Sequence, residues 1–154
     1  DLADQTPVHA IELGRNGQSK HSICFTQKSE AAISAHYAEP QTYLFEPWKS
    51  FTKAGAFKTI AGTFGLSKLG NHTHVYTSDT PIKNFPGSTY KIEAIHPLKS
   101  KMDLPAKANL KVKNFPATVA TLSKKWKIKP GGETFLFACE VFNEQKIVIE
   151  CKKF

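Results

Sequence analysis

Apolar and polar residues alternate in several segments of the chain, a pattern typical of strands with one buried face. In the first half, segments 8–13 and 21–26 alternate on either side of a turn sequence at 14–17 and predict a β-hairpin. In the second half, segments 90–97 and 110–115 alternate in the same way. Strands therefore supply a large part of the predicted fold.

Two further alternating segments, 134–142 and 146–154, predict a terminal hairpin. A three-residue loop at 143–145 places the apolar residues of both strands on one face, whereas a two-residue loop mixes them with charged residues. In this register Cys139 and Cys151 are diagonal neighbours about 7–8 Å apart, which is too far for an easy disulfide. We therefore expect two free thiols on the buried face.

Proline and glycine positions predict where a first helix begins and ends. Pro47 suits the first turn of a helix, where its missing N–H group is not needed, and Glu46 is expected to cap that helix. Apolar residues occupy two opposite faces of segment 48–64, so the helix is either buried on both sides or broken near Gly55. Segment 31–38 is compatible with a short helix or with a strand.

A second helix is predicted after strand 110–115. Asn114 is its expected cap, and Pro116 lies in its first turn. Its stripe of apolar residues carries Val119, Leu122 and Trp126, and two glycines at 131–132 follow its end. This helix would cover one face of the strands around it.

A cluster of prolines and a glycine at 79–87 is the best candidate boundary between two small subdomains, 1–86 and 87–154. The order of elements in the second subdomain is strand, strand, helix, strand, strand. We predict an α+β fold in which this subdomain is a small, mainly antiparallel or mixed sheet with a helix on one face.

The net charge of +8 is concentrated in the second subdomain. Residues 1–86 contain 8 basic and 7 acidic side chains, whereas residues 87–154 contain 13 and 6. Phosphate contacts require positive charge rather than fixed geometry, so a lysine surface can hold RNA without a sequence-reading motif. The candidate residues lie on a strand, the following helix and its exit loop: Lys111, Lys113, Lys124, Lys125, Lys127 and Lys129. The other interpretation is a surface that only keeps the protein in solution.

Aromatic residues do not strengthen the prediction of RNA binding. Trp126 is expected to be buried, and no ring of exposed aromatic residues accompanies the lysines. Recognition of single-stranded bases by stacking is therefore not predicted.

Motifs of common enzyme classes are absent from the sequence. There is no GxGxxG or GxxxxGKS/T loop, no HExxH, no GxSxG and no CxxC. We therefore expect no catalytic residue and no metal ligand in this chain, and we interpret His72 and His74 as solvent-facing.

Three sparse cysteines fit a reducing compartment, and no apolar run approaches the ~18 residues that cross a bilayer. A cytoplasmic location without membrane contact is expected.

Six short stretches of the chain carry a family resemblance. They are YLFEP at 43–47, KAGAFK at 53–58, HVYTSD at 74–79, NFP at 114–116, GG at 131–132 with FLFA at 135–138, and CKK at 151–153. Together they resemble the C-terminal region of a bacterial family of class I S-adenosylmethionine-dependent methyltransferases. In that family the region is a small ferredoxin-like segment followed by a THUMP-like domain.

The resemblance covers about residues 43–154. It implies a ferredoxin-like or helical segment at 1–86 and a basic THUMP-like domain at 87–154, preceded in the full protein by the methyltransferase domain. The start at Asp1 rather than Met, on loop-like residues, leads us to expect a piece of a longer protein. Seven residues fall in recurring family motifs without an assigned role: Glu46, Lys53, Gly55, Lys58, His74, Ser78 and Asp79.

THUMP-type domains are associated with RNA modification enzymes, so the resemblance implies a non-catalytic, RNA-binding accessory region. Its expected partners are RNA and its own methyltransferase domain, and the parent protein would use S-adenosylmethionine. The alternative is a docking or dimerisation module without nucleic-acid binding, with an exposed apolar patch around Trp48, Phe51 and Phe57. An independent enzyme is the third hypothesis, and the absent motifs argue against it.

Overall fold

The computed structural model describes residues 2–154. Its strands are β1 (Val8–Leu13), β2 (Ser19–Phe25), β3 (Tyr43–Pro47), β4 (Ser67–Lys68), β5 (Tyr76–Ser78), β6 (Gly87–Pro97), β7 (Asn109–Lys113), β8 (Thr134–Glu140) and β9 (Lys146–Lys153). Its α-helices are α1 (Gln27–Ala32), α2 (Lys49–Ala54), α3 (Phe57–Phe64) and α4 (Val119–Trp126). A short 3₁₀ turn at Ala3–Gln5 precedes β1.

One large sheet organises the fold. Its strand order is β4-β5-β3-β6-β9-β8-β7, while β1 and β2 pair separately as an antiparallel hairpin. Neighbours in the large sheet are antiparallel except β7 and β8, which are parallel and are joined through α4. The predictions of an α+β fold with a mainly antiparallel or mixed sheet, and of the first hairpin, are confirmed.

The sheet runs without interruption across residues 86 and 87. On β3, Leu44 is paired with Thr77 of β5 on one side and with Tyr90 of β6 on the other. Gly87 opens β6 opposite Pro47, so close that a Cβ on Gly87 would lie 2.7 Å from the Cα of Pro47. The two predicted subdomains therefore share one sheet, and their boundary stays a prediction.

Apolar side chains fill both faces of the second half of the sheet. On the face that α4 covers, Leu122 of the helix packs with Ala108, Ile128, Leu136, Ala138 and Val148. The opposite face carries Leu44, Leu69, Val75, Tyr90, Phe137, Cys139, Ile149 and Cys151. A third cluster joins β3 and β5 to α2, α3 and the first hairpin through Phe25, Phe45, Phe51, Ile60, Leu66 and Tyr76. Helices α2, α3 and α4 each bury one face in these clusters, whereas α1 has no buried residue.

The helical segment after β3 breaks at Gly55, one of the two predicted possibilities. Gly55 ends α2 in the left-handed conformation with φ 83°, which glycine adopts without steric cost. Pro47, expected in a first helical turn, is instead the last residue of β3, and the helix begins at Lys49. Pro47 belongs to the strand because it is buried and paired with Gly87 of β6. Gly65 then ends α3 in the same left-handed conformation.

A carboxylate from another helix caps α3. The N-cap residue Ala56 has no side chain able to accept a hydrogen bond. Glu30 of α1 replaces it: its two oxygens accept the backbone N–H groups of Lys58 and Thr59 at 2.6 and 2.8 Å. Negative charge at a helix N-terminus is favourable, so this contact fixes α1 against α3.

The start of α4 differs from the prediction. Thr118, not Asn114, is the N-cap, and its hydroxyl accepts the N–H of Thr121 at 3.2 Å. Asn114 has a positive φ of 51° and turns the chain out of β7 ahead of Pro116. A threonine directly before the helix provides the hydroxyl at the required position, whereas Asn114 lies four residues too early.

The terminal hairpin has the predicted faces and a different register. The N–H of Val141 donates to the carbonyl of Gln145 at 2.9 Å, so the loop is 142–144 rather than 143–145. The shift of pairing by two residues leaves every side chain on the same face but separates the cysteines. Cys139 lies opposite Ile147, and Cys151 lies opposite Phe135.

Both cysteines of this hairpin are buried free thiols, as predicted. Burial raises the pKa of each thiol to about 12. They are therefore protonated and contribute to the core as small apolar side chains. Within residues 2–154 no helix is both long and apolar enough to span a membrane.

Candidate nucleic-acid interface

Four of the six predicted lysines lie together at the C-terminal end of α4. Lys124 and Lys125 occupy its last turn, and Lys127 is the left-handed C-cap residue with φ 56°. Lys129 follows in the exit loop, and all four side chains are exposed. Positive charge is favourable at a helix C-terminus, so this position stabilises the helix as well as concentrating cations.

The fold adds a fifth lysine that the sequence pattern did not identify. Lys107, just before β7, forms an isolated parallel bridge with Lys129, since the N–H of Lys129 donates to Ala106 and its carbonyl accepts from Ala108. The Lys107 side chain runs along the two glycines after α4, and a Cβ on Gly131 would lie 3.1 Å from its Cε. No linear signal marks Lys107, because its neighbour is 22 residues away and meets it only through the crossover.

These five residues, Lys107, Lys124, Lys125, Lys127 and Lys129, form the α4 lysine surface. All five are exposed, and the ion pairs of residues 2–154 include none of them. Five unpaired ammonium groups around one helix end and its adjoining loop are suited to several phosphates spaced along a nucleic-acid backbone.

The remaining two candidates, Lys111 and Lys113, contribute to a different cluster. They lie on β7 with their side chains on the face of Phe137 and Cys139. The Nζ of Lys113 is 2.8 Å from Oε1 of Glu46, and the Nζ of Lys111 donates to Oε2 of the same carboxylate. Because β7 and β3 are separated by three strands, this contact requires a strongly curled sheet.

Tyr90 completes this Glu46 cluster, which consists of Glu46, Tyr90, Lys111 and Lys113. The Tyr90 hydroxyl lies 3.2 Å from both Glu46 and Lys111. Burial raises the pKa of Glu46. The hydrogen bonds and positive charges of Lys111 and Lys113 together outweigh burial and hold the pKa of Glu46 below its usual value. Burial lowers the pKa of Lys111, and its hydrogen bond with Glu46 reverses that effect and raises the pKa. Glu46 and Lys111 therefore stay ionised, and the Glu46 carboxylate neutralises much of the positive charge beside it.

Glu46 therefore does not cap a helix, as its position before Pro47 had suggested. Its side-chain exposure is 15%, and its carboxylate faces across the sheet to β7. The prediction failed because β3 includes both Glu46 and Pro47, so no helix begins beside the carboxylate.

Other motif residues support turns and helix contacts in the first half. The Nζ of Lys58 donates to the carbonyl of Ala31 at 2.8 Å, which joins α3 to α1. Asp79 accepts the hydroxyl of Thr42 at 2.9 Å, and Ser78 accepts the N–H of Thr80 at 3.1 Å. Gly55 ends α2, while Lys53 is exposed in its last turn.

His74 packs inside the first half rather than facing solvent as predicted. Its ring stacks on Phe57 with centroids 3.6 Å apart, and its Nδ1 is 3.5 Å from Nζ of Lys68. Lys68 itself is only 3% exposed, and its Nζ donates to the carbonyl of Asn71. Burial lowers the pKa of Lys68; burial, together with the Lys68 ammonium, lowers the pKa of His74 to about 4.

The two histidines of this segment do not converge on a common ligand position. His72 is exposed, whereas His74 faces Phe57. Within residues 2–154 there is no group of three or more His, Cys, Asp or Glu side chains that could hold a metal ion.

Two domain family models match the two halves of the large sheet. Residues 87–153 match a THUMP domain-like family model. Residues 43–86 match a ferredoxin-like domain. The α4 lysine surface thus lies entirely in the THUMP-like domain, and the Glu46 cluster joins Glu46 of the ferredoxin-like domain to three residues of the THUMP-like domain.

The chain is also similar to one solved structure along nearly its whole length. The "putative methyltransferase from Porphyromonas gingivalis W83" is 31% identical and superposes with a TM-score of 0.91 over 97% of this chain. The chain spans 38% of the length of that protein. No curated protein matches the chain.

An exposed apolar patch does not exist where the docking hypothesis placed it. Phe51 in the ferredoxin-like domain is fully buried, and Trp48 and Phe57 are half-buried. The ring of Trp48 packs edge-on against His21 at 5.2 Å, and Ser50 donates to Glu12 at 2.7 Å. The first hairpin covers this face of α2, which the sequence could not show because the hairpin lies more than 20 residues away.

The half-buried His74 of the ferredoxin-like domain predicts acid sensitivity. We expect the free energy of unfolding to decrease as the pH falls from about 6.5 to about 4, because the folded pKa of His74 lies below its ordinary value of 6.5. In that range the unfolded chain binds a proton that the folded chain does not, at a cost of about 2–3 kcal/mol. Urea unfolding at neutral and mildly acidic pH measures the decrease.

A His74→Phe variant separates this effect from the other ionisable groups. Phenylalanine keeps an aromatic ring against Phe57 but does not titrate, so most of the decrease between these pH values should disappear. An unchanged pH dependence in the variant would contradict the assignment to His74.

Proposed function

We propose that this chain is an RNA-binding accessory region of an S-adenosylmethionine-dependent methyltransferase, and that RNA phosphates lie on the α4 lysine surface. The observation that supports it most directly is the coincidence of that surface with a THUMP domain-like match. The similarity to a chain described as a methyltransferase supports the second part of the proposal.

The electrostatics favour the α4 lysine surface over the other predicted lysines. Its ammonium groups are exposed and unpaired within residues 2–154, so a phosphate displaces only water and counterions. Lys111 and Lys113 already share the Glu46 carboxylate, and a phosphate there would compete with it. We therefore assign phosphate binding to five lysines and a structural role to the other two.

Catalysis and the methyl donor are assigned to the rest of the parent protein. The sequence has no glycine-rich nucleotide loop, and the similar methyltransferase chain is much longer than the matched part. In this proposal the first half of the chain contacts the catalytic domain, and the THUMP-like domain brings RNA to it in the cytoplasm.

RNA binding should decrease steeply with salt. If four or five lysines contact phosphates, the affinity for a structured RNA is expected to fall roughly 100-fold between about 50 and 200 mM salt. Fluorescence anisotropy with a labelled hairpin RNA at several salt concentrations measures the slope. Absence of binding at low salt would contradict the proposed function.

Charge reversal locates the binding surface. The double variant Lys124→Glu, Lys125→Glu is expected to lose roughly tenfold or more in affinity for all RNA sequences alike, because two phosphate contacts become repulsions. The matched control is Lys49→Glu, Lys53→Glu, which changes the net charge equally on the exposed face of α2. Equal losses in both variants would show that net charge, not this surface, determines binding.

A docking module is the second candidate function, and the first hairpin supports it. Ile11 is 47% exposed and Leu13 is 59% exposed on this hairpin. Two large apolar side chains in one exposed strand suit a contact with another domain of the parent protein. If the chain is a docking module, it should not bind RNA at low salt. Leu13→Ser should then weaken the binding of this chain to a methyltransferase domain that is produced as a separate protein.

A further inference from the structure

A small pocket lies where the parallel strands β7 and β8 end. Its volume is about 230 Å³, and it is lined by the loop 70–73, by Asn114 and by Glu140, Val141, Phe142 and Glu144. This volume is below the roughly 300–1,000 Å³ of pockets for drug-sized ligands, so it suits a single ring system. It lies at the opposite end of β7 from Lys107, and neither the lysine surface nor the Glu46 cluster contributes to it.

An exposed aromatic ring forms the rim of the pocket. Phe142 at the start of the terminal loop is 46% exposed. Its ring is stacked with Tyr37 at a centroid distance of 6.4 Å and an interplanar angle of 28°. The Tyr37 hydroxyl in turn donates to Oδ1 of Asn71 at 3.3 Å, so the stacked pair of Tyr37 and Phe142 is connected to a second residue that lines the pocket.

Polar side chains surround this ring with both donors and acceptors. Nδ2 of Asn71 lies 3.3 Å from Nε2 of His72, and both residues are exposed on the pocket wall. Asn114 lines the same pocket from the end of β7, and its backbone has the left-handed conformation with φ 51°. Amide and imidazole groups beside an exposed aromatic ring can recognise the edge of a flat heterocycle while the ring stacks on its face.

The charge of the pocket distinguishes between a base and a phosphate. Glu140 and Glu144 both line it, and only Glu140 is paired, with Lys146 at 3.1 Å. Carboxylates repel a phosphate placed inside the pocket but accept hydrogen bonds from the amino groups of a base. A neutral ring is therefore the better occupant.

We propose that this pocket holds one unpaired RNA base, stacked on Phe142 and hydrogen-bonded along its edge by Asn114 and His72. The inference rests on the proposed RNA-binding function and adds recognition of single-stranded nucleotides to it. It also revises the sequence-based prediction that stacking does not contribute, because an exposed aromatic pair is formed by residues 105 positions apart. The lysine surface then holds the paired part of the RNA, and the pocket selects RNAs with an unpaired nucleotide.

Two RNAs and two variants test this inference. One RNA is a blunt hairpin, and the other is the same hairpin with a short single-stranded tail. Phe142→Ala is expected to lose about tenfold in affinity for the tailed RNA and to leave the affinity for the blunt hairpin unchanged. Asn114→Gly removes the amide but keeps the left-handed backbone conformation, and it should show the same selective loss with less risk to folding.

The control is Phe154→Ala, which removes another exposed aromatic ring outside the pocket. Phe154 is 66% exposed and packs edge-on against Tyr43. This variant should bind both RNAs as the unchanged chain does.

The possible results separate the two proposals. If both RNAs bind and neither pocket variant discriminates between them, the pocket inference is overturned and the lysine surface stands. If neither RNA binds at low salt, the proposed function fails first and the pocket inference fails with it. Losses of equal size on the blunt and tailed RNAs would also overturn the inference, since a base pocket affects only the tailed one.

Discussion

Glu46→Gln is expected to lower the free energy of unfolding by about 3 kcal/mol, because it leaves two half-buried ammonium groups without their shared counter-ion. The carboxylate contacts Lys111 and Lys113 at a side-chain exposure of only 15%, and the Lys111 ammonium also lies 5.5–5.7 Å from the ring centroids of three aromatic residues. Glutamine keeps the size of the side chain but supplies no charge. Urea unfolding at neutral pH measures the change.

The pH dependence of the same variant provides an independent check. The folded pKa of Glu46 lies below its usual 4.5, so its contribution to stability is present above that value and is lost as the pH falls through the folded pKa. The difference between the unchanged chain and the variant should therefore shrink in acid.

Another ion pair of the same sheet supplies the control. Glu93 pairs with Lys152 at 3.1 Å, and their side chains are 40% and 50% exposed. Exposed pairs contribute little, so Glu93→Gln should change the free energy of unfolding by less than about 0.5 kcal/mol. Equal decreases in the free energy of unfolding for Glu46→Gln and Glu93→Gln would contradict a stabilising role of the Glu46 cluster across the curled sheet.

Gly87→Ala is expected to lower the free energy of unfolding by about 4 kcal/mol or more. The methyl group would overlap the carbonyl oxygen of Glu46 and lie 2.7 Å from the Cα of Pro47. Both are backbone atoms of β3 and cannot rotate away. The pairing of β3 with β6, which joins the ferredoxin-like and THUMP-like domains, would have to separate.

Gly62→Ala is the matched control for this prediction. Gly62 lies inside α3, and a Cβ there would meet only a methyl carbon of Ile33 at 3.7 Å, an ordinary contact. Alanine favours the helix over glycine, so this variant should be neutral or up to about 1 kcal/mol more stable. Thermal and urea unfolding compare the two variants. A Gly87→Ala chain as stable as the control would contradict the close approach of β3 and β6.

Local patterns in the sequence were reliable where neighbouring residues decide the structure. The first hairpin and the faces of the terminal hairpin follow from alternation and turn chemistry within a few residues. For segment 48–64 the sequence left two possibilities, and the structure has the break at Gly55. The register of the terminal hairpin was wrong by two residues, because a shift by two conserves the buried faces and the hydrophobic pattern does not distinguish the alternatives.

Predictions for individual charged residues depended on what lies across the fold. Lys111 and Lys124 are equivalent in the sequence, as lysines of a basic segment. The structure places Lys111 on a sheet face that curls towards Glu46, 65 residues away, and leaves Lys124 exposed at a helix end. Glu46 was assigned to a helix cap because the partner that explains it is distant in the chain.

The sequence by itself determined the α+β class, the excess of positive charge in the second half, the absence of common enzyme motifs and the positions of most elements. Tertiary structure alone decided which lysines are free, which face of α2 is covered, and that Phe142 meets Tyr37 beside Asn114. Periodicity reports only whether a side chain faces inward or outward within its own element. Residues of other elements decide whether a charge is neutralised, whether a helix face is covered and whether a pocket forms. The pairing and curvature of the sheet bring these residues close together.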